Sequence, residues 1–154
     1  MAINLALELQ GQIRSAQESD LSKILEIEHR TFGAQWGYYD FKASLQDVFL
    51  LYLDRLNDIA GFIIACCCNL SQRGVILRLA VHPDYQGQGI ATALIQDCFE
   101  QLKHMELHEV ELDVDILKTG AVHLYEKLGF RVIQIFSPSV EDDDSFFIMR
   151  RKLR

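Results

Sequence analysis

The sequence predicts an α/β fold, and three observations carry that reading. Segments rich in β-formers alternate with segments of helical apolar spacing, in the order β-α-α-β-β-β-α-β-α-β-β. An apolar strand, Val75 to Val81, runs through His82-Pro83 into the glycine-punctuated loop Gln86-Gly87-Gln88-Gly89 and then into a helix. Apolar residues make up 49% of the 154, enough for one domain with a sizeable core.

In chain order, residues 1–12 form an N-terminal extension and 13–154 a single domain. Ile13 to Ala16 is a short first strand. Ser19 or Asp20 caps a helix that carries Leu21, Ile24, Leu25 and Ile27 and ends at Gly33. An aromatic loop, Gln35 to Tyr39, leads to a short helix around Phe41 to Leu45. Val48 to Leu53 and Ile59 to Cys68 are strands about a turn at Arg55 to Asp58. A second turn, Ser71 to Gly74, brings in the next strand, so these three form an antiparallel meander. The central helix runs from about Gly89 to Met105. Val110, Leu112 and Val114 alternate with Glu111, Asp113 and Asp115, a strand with one acidic face. Gly120 to Lys127 is a helix closed by Gly129 in positive φ. Arg131 to Phe136 and Phe146 to Lys152 are the last strands, joined by the acidic run Glu141 to Asp144, which reads as a solvated hairpin loop.

Composition excludes several classes. A formal charge of −7 argues against a nucleic-acid partner, which requires a basic footprint. The longest apolar run, Ile59 to Cys68, is too short to span a membrane, and the N-terminus lacks the basic region of a signal peptide. A soluble cytoplasmic protein is expected. The four cysteines include Cys66, Cys67 and Cys68, which as strand neighbours point to opposite faces and cannot form one metal cluster. They and Cys98 read as small apolar fillers, and no metal is expected.

The glycine loop is where chemistry is expected. The first turn of a helix has N–H groups without intrahelical partners and sits at the positive end of the helix dipole. It therefore binds anions without a basic side chain. Gly87 and Gly89 let a ligand approach the main chain. The loop is neither a Walker A loop nor a dinucleotide fingerprint. Gln86-x-x-Gly89-x-Ala91 resembles instead the Q/R-x-x-G-x-G/A signature of the GNAT acyltransferases. Val81-His82-Pro83-Asp84-Tyr85 resembles the V-x-P-x-Y that precedes it. Downstream, Leu124-Tyr125-Glu126-Lys127-Leu128-Gly129-Phe130 resembles the family's L-Y-x-x-x-G-F motif. The resemblance spans roughly Ile13 to Leu153.

It implies a mixed sheet in a three-layer α/β/α arrangement and acetyl-CoA as acetyl donor. Gln86, Gly87, Gln88, Gly89, Ile90 and Ala91 would hold the pyrophosphate. Leu79, Ala80 and Val81 would supply main-chain groups, with the Val81 N–H on the thioester carbonyl. The family's usual asparagine seven residues before the tyrosine is Lys118 here, so that amide contact is lost. Acetyl transfer to an amine needs the reactants held together, a donor on the carbonyl, a base for the amine and an acid for the thiolate. Tyr125 is the candidate acid, since a phenol with a reference pKa near 10 stays protonated at neutral pH. Asp113 is the candidate base, at the place where the bacterial ribosomal-protein alanine N-acetyltransferases carry a glutamate. His82 and His123 are weaker alternatives.

The acceptor is read as a protein or peptide N-terminal amine. Glu26-Ile27-Glu28…Phe32…Trp36…Phe41…Leu45 resembles the I-E-x-x-x-F…W segment of the N-terminal acetyltransferase branch, with Phe32 and Trp36 lining the acceptor wall. Asp143 to Leu153 resembles the branch's E-D-A-x-x-M-x-x-x-L ending, with Ser145 in the alanine's place. A small-molecule amine acetyltransferase and a non-catalytic acetyl-CoA-binding module are the alternatives, and monomer and homodimer both stay open.

Overall fold

The structure is a computed structural model that describes residues 11–68, 70–138 and 144–154. The strands are β1 (Gln12–Ser15), β2 (Val48–Leu53), β3 (Ile59–Cys68), β4 (Arg73–Val81), β5 (Glu109–Asp115), β6 (Arg131–Phe136) and β7 (Phe146–Lys152). The helices are α1 (Leu21–Phe32), α2 (Tyr38–Ser44), α3 (Ile90–His104) and α4 (Thr119–Lys127). The seven strands are ordered β1-β2-β3-β4-β5-β7-β6. β4 and β5 pair in parallel, whereas β1–β2, β2–β3, β5–β7 and β6–β7 are antiparallel, so the sheet is mixed as expected. Among the described residues no helix is long and apolar enough to cross a membrane. The described residues fall into two compact units, one within residues 11–66 and 77–101 and the other within 67–76 and 102–154.

In the first unit, Leu21, Ile24 and Ile27 recur at helical spacing on α1 and are buried with Phe41 of α2 against Phe49, Leu51, Phe62 and Ile64. Phe62 anchors an aromatic cluster, edge-on to Phe41 at 5.5 Å and 6.0 Å from Phe49. Leu50 and Ile63, on the opposite face of the same strands, are equally buried. Both faces are therefore covered, which is why these strands read as continuous apolar runs rather than alternating ones. Gly33 closes α1 in the left-handed region (φ 71°), its N–H donating to His29 C=O at 3.0 Å. Asp20 precedes α1 but does not cap it. Its carboxylate accepts from Arg14 and from the Gln17 N–H, both at 2.8 Å, and so folds the chain back toward β1.

In the second unit, the alternation of β5 holds: Val110, Leu112 and Val114 are buried, and the carboxylates lie on the other face. The C-terminal end of α4 is closed by Gly129 (φ 92°), with the Gly129 N–H on Glu126 C=O and the Phe130 N–H on Tyr125 C=O, both at 3.0 Å. β6 is the exposed edge strand.

Two expectations change. Cys98 is a buried filler whose thiol is pushed up to about 12 by burial and by Asp97. Cys67 and Cys68, however, are exposed, because β3 runs beyond the core at its last residues. The short second helix begins at Tyr38, a turn earlier than the aromatic spacing suggests, because Asp40 accepts the Gly37 N–H at 2.8 Å and starts it there. Residues 1–10 of the extension and 139–143 of the acidic loop lie outside the described residues.

Gly61 is the tightest glycine in the sheet that supports the loop: a Cβ there would stand 2.7 Å from Ala80 O and 3.3 Å from Val81 Cα, atoms of fixed backbone. Gly74 faces only Leu102 side-chain atoms, at 2.8 Å, which can rotate away. Gly61→Ala is expected to lower stability by about 1–3 kcal/mol, as overpacking does, and Gly74→Ala by less. Urea denaturation of the two variants checks the order, and equal midpoints would contradict it.

Candidate active site

β4 pairs with β5 only over Arg73–Val75 and then continues to Val81. At its end the His82 N–H donates to Ala60 C=O at 2.8 Å. Successive amides of a strand alternate in direction, so the main-chain groups of Val81 and Leu79 point to the edge away from β3. Ala80 between them is buried, and Leu79 and Val81 are half-buried. The Gln86 side-chain amide donates to Val81 C=O at 3.2 Å, tying the loop to the strand end.

Gly87 and Gly89 both have φ 80°, and a Cβ at either would meet nothing within 4 Å. The loop from Gln86 through Gln88 to Gly89 is exposed. Ala93 N–H donates to Gly89 C=O at 3.1 Å, which opens the hydrogen bonding of α3. The N–H groups of Ile90, Ala91 and Thr92 therefore have no intrahelical acceptor. The Ile90 side chain is buried and fixes this end of the loop. An open positive-φ loop before a three-amide helix start fits a pyrophosphate.

Two supports of this loop reach partners outside the sequence motifs, Asp54 and Arg30. Tyr85 O–H donates to Asp54 at 2.7 Å, and the same carboxylate accepts the Leu56 and Asp58 N–H groups in the β2–β3 turn. The bond to Asp54 pushes the Tyr85 phenol up to about 12 and lowers the Asp54 carboxyl. His82 is buried rather than a surface histidine. Its Nδ1 accepts the Asp84 N–H at 3.1 Å and its Nε2 lies 3.2 Å from Arg30 Nη1, so the ring braces the turn.

On α1, Glu28 is fully buried and accepts both Nε (3.0 Å) and Nη2 of Arg78, together with the Trp36 N–H at 3.2 Å. Arg78 Nη2 also donates to Gln35 Oε1 at 3.1 Å. The Arg78 guanidinium lies 4.1 Å from the Phe32 ring centre and 5.4 Å from that of Trp36. The two aromatic residues expected to line an acceptor wall are thus brought together by an arginine the motifs did not single out.

In the second unit, burial and then the charge of Asp113 raise the phenol of Tyr125 to about 12. The two candidate catalytic groups are therefore within electrostatic reach of each other. Tyr125 is half-buried, its ring 5.8 Å from that of Phe130. The acidic face of β5 is mostly engaged. Glu109 pairs with Arg73 at 3.2 Å, Glu111 with Arg150 at 2.8 Å, and Asp115 accepts the Leu117 N–H at 2.9 Å. Asp113 is exposed and has no hydrogen bond or ion pair among the described residues. His123 is exposed on α4, and the Lys118 C=O accepts the Val122 N–H at 3.0 Å where that helix begins.

The sequence profile of the Acetyltransferase (GNAT) family matches residues 20–130. An N-alpha-acetyltransferase of Saccharolobus solfataricus is 26% identical over 154 residues, covering 92% of each chain. The [ribosomal protein bS18]-alanine N-acetyltransferase of Escherichia coli strain K12 is 27% identical over 141 residues, covering 89% of this chain and 94% of that one. The crystal structure of the ribosomal-protein-S18-alanine N-acetyltransferase from Escherichia coli superposes with a TM-score of 0.82 at 24% identity, over 94% of either chain.

Burial and a neighbouring carboxylate both oppose phenolate formation, so the Tyr125 phenol stays protonated through neutrality. In an ultraviolet phenolate titration, the difference between wild type and Tyr125→Phe is expected near pH 12 rather than near 10. Asp113→Asn should move that step down. A lost step at the ordinary tyrosine pKa would mean that the ring is solvated.

Proposed function

Since the chain belongs to the Acetyltransferase (GNAT) family, we propose that it moves the acetyl group of acetyl-CoA directly to the N-terminal α-amine of a protein or peptide in the cytoplasm. The open glycine loop at the start of α3, with φ 80° at Gly87 and Gly89, carries the donor half of this reading. Similarity to N-alpha-acetyltransferases over about nine-tenths of the chain supports the acceptor half.

Acetyl-CoA supplies the acyl thioester. The amides from Gln86 to Ala91 hold its pyrophosphate, and the Leu79–Val81 edge takes the pantetheine arm as a substitute strand. The Val81 N–H, turned to that edge, donates to the thioester oxygen as negative charge develops there. Asp113 accepts the proton that the amine loses as the N–C bond forms. Tyr125, held protonated, gives its proton to the sulfur as the C–S bond breaks. The phenol then recovers a proton from solvent. Phe32 and Trp36 form a wall for the first residues of the acceptor.

An α-amine suits this machinery better than a lysine. Its reference pKa is near 8 against about 10.4, so far more of it is nucleophilic at neutral pH. A single exposed carboxylate suffices as base.

Two variants should dissociate binding from chemistry. Gly89→Asp places a Cβ and a negative charge on the loop, and calorimetry should show acetyl-CoA affinity reduced about tenfold or more. Tyr125→Phe should bind acetyl-CoA like wild type and lose about 100-fold in turnover. Normal binding by folded Gly89→Asp would remove the loop from the donor site. Normal turnover by Tyr125→Phe would remove the acid.

The acceptor is tested by competition among a peptide with a free N-terminus, the same peptide blocked at the N-terminus but bearing lysine, and spermidine. Mass spectrometry should place the acetyl group on the α-amine of the first. Preference for lysine or spermidine overturns the acceptor assignment. Acetyl-CoA binding with no turnover on any of the three points to a non-catalytic module.

A further inference from the structure

The Glu28–Arg78 pair lies outside the glycine-loop and Tyr125 motifs, with Glu28 the acidic residue of the I-E-x-x-x-F-like segment, and no step of acetyl transfer uses it. Glu28 is fully buried, and the Arg78 side chain is only 13% exposed. Burying two charges is costly and gains little stability by itself. Here the pair makes further contacts, all to one short segment. Glu28 accepts the Trp36 N–H, Arg78 donates to the Gln35 side chain, and the guanidinium lies against the rings of Phe32 and Trp36. The segment 33–37 needs such a hold. It turns through two successive left-handed residues, Gly33 at φ 71° and Ala34 at φ 59°, the second carrying a Cβ that disfavours this conformation. Trp36 in turn leans on Phe41 at 5.3 Å, so the pair's hold extends to α2.

We infer that Arg78, clamped by Glu28, is a positioning residue that fixes the 33–37 loop and the Trp36 ring and thereby governs recognition of the acceptor. The consequence for the acceptor rests on the proposed role of Phe32 and Trp36; the clamp itself does not. The planar, bidentate fork matters as well as the charge. A lysine keeps the charge opposite Glu28 but cannot hold the carboxylate, Gln35 and two aromatic faces at once. The proposed donor site, the glycine loop with the main-chain edge of Leu79–Val81, shares none of these side-chain contacts.

Trp36 is the chain's single tryptophan, so its fluorescence reports the loop directly. Two variants are compared with wild type. Arg78→Lys retains the buried charge balance, and the double variant Glu28→Gln/Arg78→Met removes both charges and leaves neither unpaired. In both, acrylamide quenching of Trp36 is expected to rise about twofold or more as the clamp is lost. The acceptor KM is expected to rise about fivefold or more, with acetyl-CoA affinity within about twofold of wild type. Wild-type quenching in a folded variant overturns the clamp. A parallel fall in acetyl-CoA affinity would show a general structural role and overturn it equally. If the wild type ignores N-terminal peptides, only the acceptor reading fails, because the quenching measurement uses no acceptor.

Discussion

The governing constraint is the early parting of β4 from β5. A strand's N–H and C=O groups must find partners, and β4 has β5 beside it only as far as Val75. It nevertheless continues to Val81, held on its other side through contacts such as the His82 N–H to Ala60. The main-chain groups of Leu79 and Val81 are thus turned to the edge away from β3, where Val81 C=O accepts the Gln86 side-chain amide. Gly61 adds to the precision of this edge. Having no Cβ, it lets β3 approach the Ala80 carbonyl and the Val81 Cα closely.

The turn beyond β4 extends the same logic. The chain must pass from a strand into a helix while leaving the first amides of α3 uncovered. Gly87 and Gly89 supply the positive φ, and the surrounding bonds remove the freedom that glycine would otherwise bring. Gln86 is tied to Val81, Tyr85 to Asp54 and His82 to the Asp84 amide. The loop is therefore glycine-rich in composition yet fixed at its root.

The fold is largely legible in the sequence because the signals that set it are local. β2, β3, β6 and β7 lie where composition and turns place them, Gly33 ends its helix as expected, and Gly129 ends its own in the expected positive φ. The glycine loop and the Tyr125 motif are legible for the same reason, each being a short contiguous run. Long-range pairings of polar side chains are not. Arg78 meets Glu28 across 50 residues and Tyr85 meets Asp54 across 31, and no periodicity encodes such a meeting. Asp20 looks like a helix cap in sequence, yet its carboxylate finds Arg14 and the Gln17 amide instead of a helix N–H. The acidic face of β5 reads in sequence as a row of equivalent carboxylates. The arginines of β4 and β7 at Glu109 and Glu111, and the Leu117 amide at Asp115, distinguish Asp113 from its neighbours.

The carboxylates of this one strand therefore have unlike surroundings. Glu109 and Glu111 lie between Arg73 and Arg150, where cross-strand pairing offsets their like-charge repulsion. Asp115 spends its carboxylate on the Leu117 amide at the exit of the strand. Asp113, in register with Ile148, has an apolar cross-strand neighbour and no cation among the described residues. It is also close enough that its charge, after burial, raises the phenol of Tyr125.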